Sequence, residues 1–379
     1  MHEKGNQMKL GITTFALSTL LLFQVAKADD KHIQNGSLLG QLPTSSERIV
    51  STVPANGDGN PYGVAFVPDF IAPGGLLEPG DVLVSNFNGG GGVQGTGTTI
   101  VRISKTGQSS VFFQGNPGLG LTTALGVLSR GFVLVGNVPT IDGTAGTIQP
   151  TSLLVINKNG KLVATLSDPK LLAGPWDLTL VDEGFFAQIF VSNVLTGTVT
   201  RLDVSMGFSG GFSGDTFNVN SKTQIASGYT HAPNMAAVVV GPTGLAFDPL
   251  RNVLYVASTG DNEIFAVPNP LFTNKDNGTG QLIYKDNTHL HGPLGLALAP
   301  NGHLITANGD AINAGPAGTQ NLLVEFTPAG QFVSQFQVDP GPAGAAFGLA
   351  ITVGFEGVRF ATVDDNANTL EIFHLPLIL

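Results

Sequence analysis

Hydrophobic residues in this chain come in short runs bounded by Gly, Pro, Asn and Asp, the rhythm of strands and turns. One phrase returns six times: a Gly or Pro-x-Gly opening, a short apolar strand, a turn, a second apolar strand, then Asn or Asp. It runs from Pro61-Tyr62-Gly63 to Asn86, from Leu125-Gly126 to Asn137, and from Pro175-Trp176-Asp177 to Asn193. The later copies run from Pro242-Thr243-Gly244 past Ser258 to Asp261, from Pro293-Leu294-Gly295 to Asn308, and from Phe347-Gly348 to Asp364. The copies recur about every 57 residues, the scale of a repeat architecture. Two more strand-like runs follow each pair, as residues 99–103 and 109–113 do around a Lys105-Thr106-Gly107 turn. Each unit reads as a four-stranded antiparallel meander. Six of them set radially make an all-β, six-bladed β-propeller.

The sixth copy ends after three strands, while Arg48-Ile49-Val50-Ser51-Thr52-Val53 precedes the first copy with no blade of its own. The natural closure puts this N-terminal segment on the outside of the last blade, covering an edge that would otherwise be bare. Inner strands that converge on an axis need close backbone approach, which accounts for Gly63, Gly126, Gly244, Gly295 and Gly348.

Composition narrows the function. Of 379 residues 51 are Gly and 23 Pro, and only 12% are charged, with a net charge of −10. No basic stripe is available to neutralise phosphates, so a nucleic-acid partner is excluded. The absence of Cys rules out disulfides, thiolate metal sites and thiol nucleophiles. Residues 10–26 form an apolar run preceded by Lys4 and Lys9 and followed by Ala26-Lys27-Ala28, the outline of a cleavable export signal. The expected organisation is a signal peptide over 1–28, a lead over 29–46 and one propeller domain over 47–379. Removal of the signal leaves a monomer with no membrane span, in the periplasm or outside the cell.

Residues 244–265 (Gly-Leu-Ala-Phe-Asp-Pro, a turn, Leu-Tyr-Val-Ala-Ser, then Asp-Asn-Glu-Ile-Phe) resemble an NHL repeat, and Gly295 to Asn308 is similar with Ala-Pro-Asn-Gly as its turn. The resemblance implies an exported NHL-like propeller, distantly similar to gluconolactonase-like and strictosidine-synthase-like proteins and to the peptidyl-amidoglycolate lyases. It specifies a repeat and no activity.

In a propeller the loops between second and third strands, and those leading into each inner strand, share one face. That face collects Asn86, Asn88, Asn137, Asn193, Asp261, Asn262, Asn308, Asp310, Asp364 and Asp365. Oxygen donors converging on the axis would suit Ca²⁺, with Asn86, Asn137, Asn193, Asp261, Asn308 and Asp364 as its candidate ligands. The alternative is that each amide or carboxylate caps its own turn. His231, His289 and His291 are a second candidate set, because the lyases that the repeat resembles use a histidine-lined metal site. Trp176 stands where other blades carry Pro-x-Gly, as core or as a ligand platform at the channel mouth. Three motifs fail in context. Gly207-Phe208-Ser209-Gly210-Gly211 has the serine-hydrolase spacing without a following helix. Residues 56–60 lack the turn Gly and bidentate Glu of an EF-hand, and the glycines at 89–92 lack a phosphate-loop Lys.

The expected function is therefore a binding module for a small molecule or protein on the loop face. The competing class is a divalent-metal-dependent hydrolase or lyase with its site at the axis, where a metal would activate water. Against the lactonase case, the first inner strand has no acid between Tyr62 and Phe66, and Glu183 and Glu325 are read as rim or outer-strand residues.

Overall fold

The computed structural model describes residues 36–208 and 215–376. The expected export signal and Ser209 lie outside the described residues. Six four-stranded antiparallel sheets form the ring. Each begins with an inner strand: Gly59–Phe66, Leu121–Val127, Pro175–Asp182, Pro242–Asp248, Pro293–Leu298 and Ala346–Gly354 for blades one to six. Blade six is completed as the sequence predicts. Arg48–Ser51 pairs antiparallel with Thr369–Leu375, Arg48 opposite Ile372 and Ser51 opposite Thr369.

Burial falls off radially, which explains the apolar pattern. Second strands such as Val133–Asn137 are buried along their whole length, sandwiched between neighbouring blades, so both faces are apolar. Outer strands such as Leu162–Leu166 face solvent and alternate. Every inner strand carries a register shift at its opening phrase, for example between Pro61 and Val64 and between Pro293 and Leu296. This bulge brings backbone against the next blade. A Cβ at Gly348 would fall 1.9 Å from the Tyr62 carbonyl oxygen, and one at Gly244 2.3 Å from that of Leu294. No side chain fits there, which is the reason for the recurrent glycine.

Blades two and three are exceptions. In blade two the shift falls between Leu121 and Leu125, so Ala124 stands in the glycine's place and Gly126, expected there, pairs in register with Leu134. Blade three departs in another way. Asp177 takes the place of the glycine and its Oδ1 accepts the Leu178 amide at 2.7 Å. Burial pushes its carboxyl well above the ordinary range, against the backbone bonds from Leu178 and Leu245. The inner strands line a central cavity of about 340 Å³; its side chains are apolar except for Asp177, Thr123 and Thr179, but most of the surface exposed in it is polar.

Two features depart from the expected pattern. A hairpin of Ala232–Asn234 and Val238–Val240 stands in the connection between blades three and four. Glu325, read from the sequence as a rim residue, lies on the third strand of blade five with no exposed surface. It is the anchor of the N-terminal lead. Ser37 Oγ at 2.6 Å and the Leu38 and Leu39 amides at 3.0 and 2.8 Å all donate to its carboxylate. Leu38, Leu39 and Leu42 then pack with residues of blades five and six.

Candidate functional site

The bulges place large side chains where inner strands meet the loop face. Tyr62, Trp176, Leu294 and Phe347 hold this position in blades one, three, five and six, and all belong to one buried cluster with Phe87. Tyr62 stands 4.5 Å from Phe347, 4.9 Å from Phe87 and 6.0 Å from Trp176 between ring centroids. Rings from blades one, three and six thus meet and fill the centre of the ring at this end. Val238 and Val239 of the hairpin join them. Val238 is held at φ +61°, a left-handed conformation that costs a β-branched residue about 1–3 kcal/mol, and its burial among the rings offsets that strain.

The predicted oxygen donors surround this plug and bond mostly to nearby chain. Asn86 Nδ2 donates to the Thr52 carbonyl at 3.0 Å and to Thr99 Oγ1 at 3.1 Å. Asn193 Nδ2 donates to Thr198 and Thr200 hydroxyls. Asn137 accepts from Ser152 and donates to the Leu119 carbonyl. Asn308 accepts the His291 amide at 2.9 Å and donates to the His289 carbonyl at 2.8 Å. Asp261 accepts from Ser258 Oγ and the Thr230 amide, and Asp364 accepts the Ala367 amide. The amides latch each second strand to the segment leading into its own blade or to the third strand beside it. Asn86 and Asn193 each keep a buried Oδ1 without a partner.

The three histidines have separate surroundings. His231 is exposed, with Nδ1 at 3.1 Å from the Tyr229 carbonyl. His289 pairs with Asp286 and stacks on Phe332, while His291 is buried against the Asn313 carbonyl. Among the described residues, no three His, Asp or Glu side chains lie close enough to hold a metal ion.

Beside the plug is a cleft of about 280 Å³, lined by Asn60, Tyr62, Gln94, Asp310, Phe347 and Asp365. The hairpin forms one wall, and Gln94 Nε2 ties it to blade one by donating to the Ala236 carbonyl at 2.8 Å. Asp310 Oδ2 accepts the Asn321 amide at 2.9 Å, but Asp310 Oδ1 and Asn60 Oδ1 are buried without a well-formed hydrogen bond. Burial raises the Asp310 carboxyl above its ordinary range. Asp365 is pushed up to about 7, by burial first and then by the neighbouring Asp364. The sequence reading placed Asp310 and Asp365 on this face. It read residues 56–60 as an oxygen-rich entry to blade one, and Asn60 opens the inner strand there, but it missed Gln94, which lies in a Gly-rich loop, where function tends to gather.

A carboxyl whose pKa is higher folded than unfolded lends stability at low pH and loses it as pH rises through the folded value. For Asp365 the window is about pH 4 to 7. Asp177, Asp310 and Asp364 shift in the same direction. About three pH units at 1.36 kcal/mol each put the Asp365 share at up to about 4 kcal/mol. Urea unfolding should therefore show lower stability at pH 8 than at pH 5, with a shallower decline in Asp365→Asn. Equal slopes in the two proteins would contradict the assignment.

No known protein-family model matches the chain, and no curated protein does. Solved structures do. A glucose dehydrogenase is 14% identical over 86% of this chain and 99% of its own, with a TM-score of 0.50. A protein provisionally named a gluconolactonase is 14% identical over 90% and 97%, with a TM-score of 0.47. A calcium-binding regucalcin from Agrobacterium tumefaciens is 15% identical over 87% and 97%, with a TM-score of 0.49. At that identity the likeness to the glucose dehydrogenase is one of fold alone, and the chain is a six-bladed β-propeller.

Proposed function

We propose that this chain is a binding module whose small ligand sits in the loop-face cleft, beside the axis. The observation that carries the reading is Asp310, which lines the cleft, has the Asn321 and Gly344 amides beside its carboxylate, and still keeps a buried Oδ1 without a well-formed hydrogen bond. An unpaired buried carboxylate oxygen is costly, and a hydrogen-bond-donating ligand would remove the cost. The apolar run before residue 28 and the blade-four phrase support an exported, NHL-like protein acting in the periplasm or outside the cell. A metal site at the loop-face end of the axis would compete for the volume that Tyr62, Phe87, Trp176 and Phe347 occupy, whereas the cavity between the inner strands stays open.

Chelation separates the two classes. The binding-module reading expects EDTA to leave the thermal midpoint unchanged, and expects ligands found by thermal shift to lose their effect in Asp310→Asn. About one equivalent of tightly held Ca²⁺, with stability lost on chelation and lactone hydrolysis restored by the ion, would overturn it in favour of an axial site at Asn86, Asn137, Asn193, Asp261, Asn308 and Asp364.

A further inference from the structure

We infer that the cleft selects an organic cation, a small alkylammonium or quaternary ammonium group, which deepens the binding-module reading and rests on it. The cleft offers acceptors in excess of donors. Asp310 is only 7% exposed, and its Oδ1 and the Asn60 Oδ1 lack partners. Among its lining residues there is no Lys or Arg. In all the loops of this face, among the described residues, the only such side chains are Lys170 and Lys285, and Lys285 is paired with Glu263. Asp142, Asp261, Asp286, Asp339 and the Asp364–Asp365 pair stand in or beside the same loops, so the face carries a negative field that draws cations.

The remaining walls choose among cations. Tyr62 and Phe347, 2% and 9% exposed with ring centroids 4.5 Å apart, border the cleft, as do Ala236, Ala237, Ala311 and Ala343. Calcium demands six to eight oxygen donors. An alkylammonium instead wants acid on one side and aromatic or methyl surface on the other, which is what is present.

Charge on the neighbours sets the pH response. Asp365 faces Asp364 on its own blade and Tyr62 on blade one, while Asp310 faces His291. Asp339 adds to the burial that raises Asp364, and Asp364 and Asp339 in turn raise the half-buried Glu371. A cation that pairs with Asp365 must displace its proton.

The test uses the purified protein and thermal shift, followed by calorimetry, with tert-butylammonium chloride as probe. Tert-butanol is the neutral isostere, calcium chloride the metal, glycerol the neutral hydrogen-bond donor, and sodium chloride the ionic-strength control. The ammonium is expected to bind alone among them and about tenfold more weakly at pH 6 than at pH 8, because only about a tenth of Asp365 is ionised at pH 6. Asp365→Asn should flatten that dependence, and Asp310→Asn should abolish binding while circular dichroism remains unchanged. Equal binding of tert-butanol, or preferential binding of calcium, overturns the cationic assignment. Glycerol binding that Asp310→Asn removes keeps the cleft as a binding site and sinks only its preference for charge. No response to any probe overturns the cationic assignment and leaves the chelation result to decide the broader reading.

Discussion

Trp176→Ala is expected to cost about 3–5 kcal/mol, the range for removing a fully buried aromatic side chain. Its ring is 1% exposed and lies edge-on to both Tyr62 and Phe87. Its removal leaves a hole where blades one, three and six meet, and rigid inner strands cannot collapse into it. Trp176→Phe should recover most of the loss, since the indole Nε1 has no hydrogen-bond partner to give up. Because this is the one tryptophan of the chain, its fluorescence reports the state of the plug directly. Wild-type emission should be that of a dry indole and should shift to the red only in the main urea transition. A cost below about 1 kcal/mol, or emission typical of a wet indole in the native state, would show that the rings are not packed as described.

Glu325→Ala should be comparably severe, about 3–5 kcal/mol, because it strips the acceptor from a buried polar knot. Besides Ser37, Leu38 and Leu39, Asn301 Nδ2 donates to this carboxylate at 3.0 Å, and His303 Nδ1 lies 2.8 Å away. Burial alone would raise the Glu325 carboxyl, but the bonds from Ser37, Leu39, His303 and Leu38 outweigh it and hold it below the ordinary range. The sign is therefore opposite to that of Asp365. This contribution is present above about pH 4.5 and is lost as pH falls, so the two groups together place greatest stability in mildly acidic solution. Limited proteolysis should find the segment before Arg48 cleaved faster in Glu325→Ala. Wild-type resistance in that variant would mean that the three leucines hold the lead without the carboxylate.

The blades were legible because their signal is repeated. A bulged glycine in four blades, a doubly buried second strand and a capping Asn or Asp each have a local cause, and repetition makes that cause visible above the noise. The partnership of Arg48–Ser51 with the last blade was legible for another reason: it was the strand left over when one blade was short. The hairpin at residues 232–240 has no counterpart in other blades, and its strands are three residues long. Only the run of three valines hints at it. Glu325 defeated the reading because an acid in the third strand of a blade normally faces water, and the helical turn that satisfies it lies 288 residues earlier in the chain. At the loop face, sequence position identified which acids and amides would gather. It did not distinguish Asp310, whose Oδ1 has no hydrogen-bond partner, from Asn308, whose oxygen and nitrogen each have one, since that depends on how the loops are placed.

The shared sixth blade also governs the order of assembly. Thr52 donates to the Asn368 carbonyl across 316 residues of chain, so the seam can form only after nearly the whole polypeptide has been made. Until then Arg48–Ser51 is a strand without a mate, and the earlier blades form an open arc. Such distant pairing makes ring closure the slow step of folding and leaves two bare edges available to other chains in the meantime. A concentrated refolding mixture should lose material to association before the seam forms, whereas in the finished ring Arg48–Ser51 covers the third strand of blade six.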